Sequence, residues 1–166
     1  QGALAPPANA TPLTSPLAGP AVTAAEKADF DRAQEVLGQG DFRRAADLFA
    51  AIAQTHAGSP LTAHALFLRG AALDAAGDLD GAGIAWLESF AANPNGPQAA
   101  DALLGLSRAM SAKGGPQEGC FYLQEINNRF PGSPQAAEAE KRLIAADCAA
   151  LIEGDMGTMD PEAAAD

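Results

Sequence analysis

Apolar residues return along most of this chain at every third or fourth position, the spacing that gathers them on one face of an α-helix. Phe30, Ala33, Val36 and Leu37 form the first such stripe. Thr23 is placed to cap that helix, Glu26 three positions on completes the spacing of a capping box, and Gly38 and Gly40 stop it. A second helix opens on Asp41 and carries Ala45, Leu48, Phe49 and Ile52 to a turn at Gly58-Ser59-Pro60. Ala63, Leu66, Phe67, Gly70 and Leu73 mark a third helix that ends near Gly77. Ala82, Trp86 and Phe90 mark a fourth, opening at Asp78 and stopping at Asn93-Pro94. Leu103, Leu104, Leu106 and Met110 predict a fifth, and Cys120, Leu123 and Ile126 a sixth that ends at Phe130-Pro131. A seventh, from about Gln135 to Ile152, carries Ala139, Leu143 and Ile144.

The stripes are copies of one another. Gly40-Asp41-Phe42 returns 37 positions later as Gly77-Asp78-Leu79 and again, degraded, as Gly114-Gly115-Pro116. A small residue follows each time (Ala45, Ala82, Gly119), then a large apolar one (Phe49, Trp86, Leu123). Each unit closes on a proline turn in the same register: Gly58-Ser59-Pro60, Asn95-Gly96-Pro97 and Gly132-Ser133-Pro134. Self-similarity at a fixed period of this length is the signature of a repeat solenoid. Neither helix of a unit can bury its stripe alone, so stacked hairpins supply the core, and the unpaired seventh helix caps the last unit. Small Gly70 and Ala82 let two helices approach, with Trp86 filling the groove beside them.

Composition sets the limits of this array. Five prolines between Pro6 and Pro20 block both helix and ladder hydrogen bonding, so residues 1–23 read as an extended linker. Residues 24–153 form the repeat domain, and residues 154–166 an acidic tail with too little apolar content to fold. A formal charge of −11 disfavours nucleic acid and anionic membrane surfaces, both of which need cationic protein faces. No apolar run reaches the length of a membrane span and no signal peptide is evident, so direct membrane insertion is not expected. A chain that opens on Gln1 reads as processed or cut from a longer product.

The intervals of Gly70, Ala82, Trp86 and Pro94 resemble those of a tetratricopeptide repeat, with Ala45/Phe49 and Leu123/Pro131 repeating part of the set. The resemblance implies an all-α tetratricopeptide-repeat superhelix of three helical hairpins plus a C-terminal capping helix. The period exceeds the usual ~34 residues, and the surplus lies in the turns between hairpins. Those turns, above all Phe130-Pro131-Gly132-Ser133-Pro134, and the stretch from Gly119-Cys120 to Arg142-Leu143 are similar to the Tol-Pal system family known as YbgF or CpoB. Similar turns occur in other envelope proteins, including the outer-membrane assembly lipoprotein BamD. The Tol-Pal resemblance implies a periplasmic, non-catalytic module that binds TolA and a bifunctional peptidoglycan synthase, coordinating envelope constriction with wall synthesis. The alternative is a structural or accessory subunit of a larger envelope assembly. Members of that family trimerise through an N-terminal coiled coil that this sequence lacks, so a native trimer would require it.

Cys120 and Cys148 fit either a disulfide or two buried thiols by spacing alone. Antiparallel sixth and seventh helices would bring them together, and the oxidising compartment implied by the resemblance favours the bridge. Phe30, Phe67 and Leu104 recur 37 apart on the first helix of each unit, the helix that lines the concave face of such arrays. One reading makes them core. The other makes them an apolar floor for a partner peptide or helix, with Gln34, His64, Asp101 and Arg108 as its polar rim. No catalytic constellation emerges, and neither a metal nor a cofactor is expected. His56 and His64 lack the spacing and third ligand of a zinc site. Asp155, Asp160 and Glu162 lack the pattern of a calcium loop, and Gly114-Gly115-Pro116 lacks the lysine of a phosphate loop. Ser59 and Ser133 precede prolines at helix starts, where turn chemistry accounts for them.

Overall fold

A computed structural model of the chain describes residues 21–150. Seven helices stand where the apolar spacing places them: α1 Ala24–Gly38, α2 Phe42–Thr55, α3 Thr62–Ala75, α4 Leu79–Ala92, α5 Ala99–Gly114, α6 Cys120–Arg129 and α7 Pro134–Ala145. Each packs against the next in the chain, and α5 also meets α7. The result is a tetratricopeptide-type superhelix of three hairpins, α1/α2, α3/α4 and α5/α6, closed by α7. Most of the expected linker and the whole expected acidic tail, together with residues 151–153 of the expected repeat domain, lie outside the described residues.

The Gly-Asp signal works as a hairpin turn because it ends one helix and begins another. Gly77 takes φ 86°, a left-handed value that a side chain disfavours. Its N–H donates to the Asp74 carbonyl at 2.9 Å and that of Asp78 to the Leu73 carbonyl at 2.8 Å, which closes α3 with a Schellman motif. The Asp78 carboxylate then accepts from the Gly81 N–H at 2.9 Å and caps α4. Asp41 holds the same position before α2 but makes no such bond. The third residue of α4 is glycine, and a Cβ there would lie 2.5 Å from Asp78 Oδ2; the equivalent residue of α2 is Arg44. In the third unit Gly115 stands in the place of the aspartate and Pro116 follows it, and the chain passes through a 3₁₀ turn, Pro116–Gly119, before α6 begins.

Two further expectations are corrected. Thr23 Oγ1 does accept from the Glu26 N–H at 3.1 Å, but Glu26 does not complete a capping box. Its carboxylate instead accepts from the Ser59 hydroxyl in the α2–α3 turn, so a buried acid ties α1 to the next turn. The seventh helix does not run to Ile152. It stops at Ala145, and Asp147 at φ 52° breaks it, a conformation that aspartate tolerates better than most residues. A separate helical turn starts at Cys148.

The core is a row of three clusters. Phe30, Val36, Phe49 and Ile52 dominate the first, Trp86 and Leu106 the second, and Leu103, Leu123 and Ile126 the third, with alanines throughout. Ala33, Ala45, Ala65, Ala82, Ala102 and Ala139 are fully enclosed, which keeps helix axes close and explains how a chain with 5% aromatics fills its interior.

Candidate functional site

The second unit shows how the groove beside a hairpin is filled. Trp86 on α4 lies between Gly70 of α3 and Gly105 of α5. A Cβ at Gly70 would come within 2.5 Å of its Cδ1, and one at Gly105 within 2.6 Å of its Cδ2. The indole N–H donates to the Phe67 carbonyl at 3.2 Å, so the polar edge of the ring is satisfied where it is buried. Gly70 has the role the sequence suggests. Gly105 was not singled out there, because it interrupts a strong helical stripe and its reason lies on another helix.

Moving each of these three positions on by 37 residues gives Ser107, Leu123 and Arg142. Here the filler is a leucine, and the flanking positions carry side chains. Leu123 is buried in the third cluster but is much shorter than an indole. Above it a groove of about 470 Å³ stays open between α5 and α7, lined by Ser107, Arg108, Ser111, Pro116, Leu123, Arg142 and Ala145. That volume falls in the usual ~300–1,000 Å³ range of binding clefts. The carbonyl of Leu104, equivalent to that of Phe67, accepts from the Ser107 hydroxyl at 2.8 Å and lies 3.4 Å from Arg142 Nη1.

Both arginines have partners outside the cavity. Arg108 pairs with Asp74 of α3, and its guanidinium sits 5.6 Å from the Trp86 ring centroid. Arg142 pairs with Glu138 one turn back on α7 at 3.0 Å. Arg108 was among the rim residues named from sequence; Ser107, Ser111 and the α7 wall were not. Tracing Arg142 back to Gly105 through the repeat register was the available signal.

The remaining residues named for a binding face divide. Phe30 is buried, 5.7 Å from Phe49 edge-to-face and 4.9 Å from the His64 ring, and it serves the core. Phe67 is half-buried against the Trp86 cluster and Leu104 against the third cluster. His64 packs on Phe30 rather than standing free at a rim, and burial pushes its pKa below the usual histidine value. Gln34 is exposed on α1. Asp101 accepts from Gln135 Nε2 at 3.1 Å and so links α5 to α7. Among the described residues, no one groove gathers these seven; only Arg108 lines the open groove between α5 and α7.

Cys120 at the start of α6 and Cys148 just past the α7 break have Cα atoms 5.7 Å apart and sulfurs at disulfide distance. Both are buried. The bridge position lies two residues beyond Ala146, another lining residue of the groove, so it anchors that wall. His56 faces α1, with Nε2 3.1 Å from Asp29 Oδ2 and Nδ1 3.7 Å from Glu26 Oε1. Among the described residues, no three His, Cys, Asp or Glu side chains gather in a way that could hold a metal ion, and no helix is long and apolar enough to cross a membrane.

Comparison with known proteins agrees with this geometry. Residues 30–97 match the tetratricopeptide repeat family model. Among solved structures, the chain is similar to the Yersinia enterocolitica type III secretion chaperone SycD, crystallised with a peptide of the translocator YopD. The TM-score is 0.62 at 13% identity, over 76% of this chain and 95% of that one. The likeness is one of fold. A sequence comparison with curated proteins returns no match.

Proposed function

We propose that this chain is a non-catalytic protein–protein interaction module that holds a segment of a partner on the face carried by its first helices. The open groove between α5 and α7 carries this reading: it is sizeable and largely apolar, and it is built by the same positions that the second unit fills internally. SycD, of similar fold, was crystallised with a peptide of another protein, which supports the same use here. The setting we propose is periplasmic, in the Tol-Pal and division machinery, with TolA and a bifunctional peptidoglycan synthase as partners. The proline turn Phe130-Pro131-Gly132-Ser133-Pro134 supports it, and a cysteine pair at disulfide distance suits an oxidising compartment.

The test is a calorimetric titration with the periplasmic part of TolA from the same organism. Micromolar or tighter binding is expected; its absence with the full-length protein removes the Tol-Pal setting. Phe67→Asp is a poor control, because Phe67 packs against the core and the charge would unfold its surroundings. Arg142→Gln is the better one.

One observation favours a second reading, a fixed subunit of a larger envelope assembly. Ile84 and Leu87 on α4 are 60% and 50% exposed, and Phe121, in the register of Ile84 on α6, is 63% exposed. Exposed apolar residues on the second helices suit a permanent contact. Stoichiometric co-purification through high salt would favour this reading over reversible peptide binding.

A further inference from the structure

This inference deepens the protein-binding reading and rests on it. The second and third units present the same three positions to the groove, once filled and once open. In the second, an indole from α4 lies across two bare glycines with its N–H on a helix carbonyl. In the third, Leu123 stops short, Arg142 Nη1 reaches the Leu104 carbonyl that corresponds to the indole's acceptor, and a groove lined by Ser107, Leu123 and Arg142 stays open beside them. The walls are shaped for a large flat or branched apolar side chain, and nothing in the described hairpin provides one.

Charge narrows the occupant further. The chain carries −11 overall, yet the charged side chains lining this groove are two arginines, Arg108 on α5 and Arg142 on α7. Their carboxylate partners, Asp74 and Glu138, do not line it. Both pairs are partly exposed, so exchanging one carboxylate for another costs little. A guanidinium can bind a carboxylate through two parallel N–H donors, which suits a fixed acidic group on a ligand.

We propose that the α5–α7 groove is a docking site for a partner peptide that inserts one bulky apolar side chain, of tryptophan, phenylalanine or leucine size, beside an aspartate or glutamate. The apolar group lies on Leu123 where Trp86 lies in the second unit, and the carboxylate is held by Arg142 and Arg108. The neighbouring cysteine pair keeps the α7 wall in place for it.

The experiment selects short random displayed peptides on the full chain and measures the enriched ones by fluorescence anisotropy. Enriched peptides should pair a bulky apolar residue with an adjacent acid, and changing that acid to its amide should weaken them. Arg142→Gln and Arg108→Gln should each cost about tenfold in affinity or more, the loss of a charge-assisted contact. Arg129→Gln, on α6 away from the groove, should change nothing. The triple variant Ser107→Gly/Leu123→Trp/Arg142→Gly rebuilds the second unit's packing and should abolish binding. Peptides that bind but ignore all of these changes would overturn the groove and leave an interaction module that uses another face. No enriched peptide at all would overturn the module's peptide-binding function as well. A synthetic peptide of residues 151–166 that binds more tightly than every selected sequence would overturn the partner and assign the groove to the chain's own segment.

Discussion

The α3/α4 hairpin and the α5/α6 hairpin share a register in which Gly119 answers to Ala82 and Leu123 to Trp86, while the Gly-Asp turn of the first is degraded in the second. They differ in what fills the space toward the following first helix. Trp86 closes it in one; Leu123 leaves about 470 Å³ in the other. The two glycines beside Trp86 have no stabilising value as helix residues, since each costs roughly 1 kcal/mol against alanine. They are tolerated because they admit the ring. Where the ring is absent, the same positions carry Ser107 and Arg142, residues able to contact a ligand. A repeat therefore becomes a site by shortening one side chain and lengthening its neighbours.

The largest expected effect comes from emptying the filled unit. Trp86→Ala should cost about 3–5 kcal/mol, as deletion of a large core aromatic does. Chemical denaturation would read it, and a cost under about 1 kcal/mol would mean that the indole is not the keystone of the α3–α4–α5 contact. Next comes the cysteine pair of the open unit. With 28 residues of sequence separation, removing the bridge by Cys120→Ser should cost about 3–4 kcal/mol on the chain-entropy estimate. Melts with and without reductant measure this, and labelling of both thiols in unreduced, unfolded protein would sink the bridge itself.

Gly70→Ala sharpens the comparison from the other side. Its new Cβ would lie 2.5 Å from Trp86 Cδ1, an overpacking expected to cost about 1–3 kcal/mol. Ser107→Ala, the same position beside Leu123, should cost less, because no ring presses on it. Equal costs in the two units would break the distinction.

The smallest effect is a pH dependence in the first unit. Burial against Phe30 sets His64's folded pKa below its unfolded value, near 6.5. The neutral ring's contribution is therefore present above that pH and lost as pH falls through the folded value. The melting temperature should decline slightly on acidification below about pH 6.5. His64→Leu should remove that part of the slope, and an unchanged slope would place its origin elsewhere.

What was readable in advance follows the range of the interaction. Thr23 at its cap, the Gly77-Asp78 turn and the proline stops lie within a few residues of the groups they satisfy. They could be located without knowing the fold. Glu26 could not: its local partner was the Thr23 backbone, and the fold supplied Ser59, 33 residues away, instead. Phe30, Phe67 and Leu104 were placed on the correct helices, but their spacing could not tell a floor from a core, since both lie on an apolar stripe. The break at Asp147 was hidden because the residues before and after it are good helix formers.

The amino-acid order alone set the number of helices, their boundaries to within a few residues except at the end of α7, and the 37-residue register, because helix periodicity, capping and proline stops are local. The open groove, the meeting of Cys120 with Cys148 and the grip of two glycines on Trp86 came from elsewhere. Each depends on the separation of groups on different helices. That separation is set by how all the intervening side chains pack, and no spacing along the chain records it.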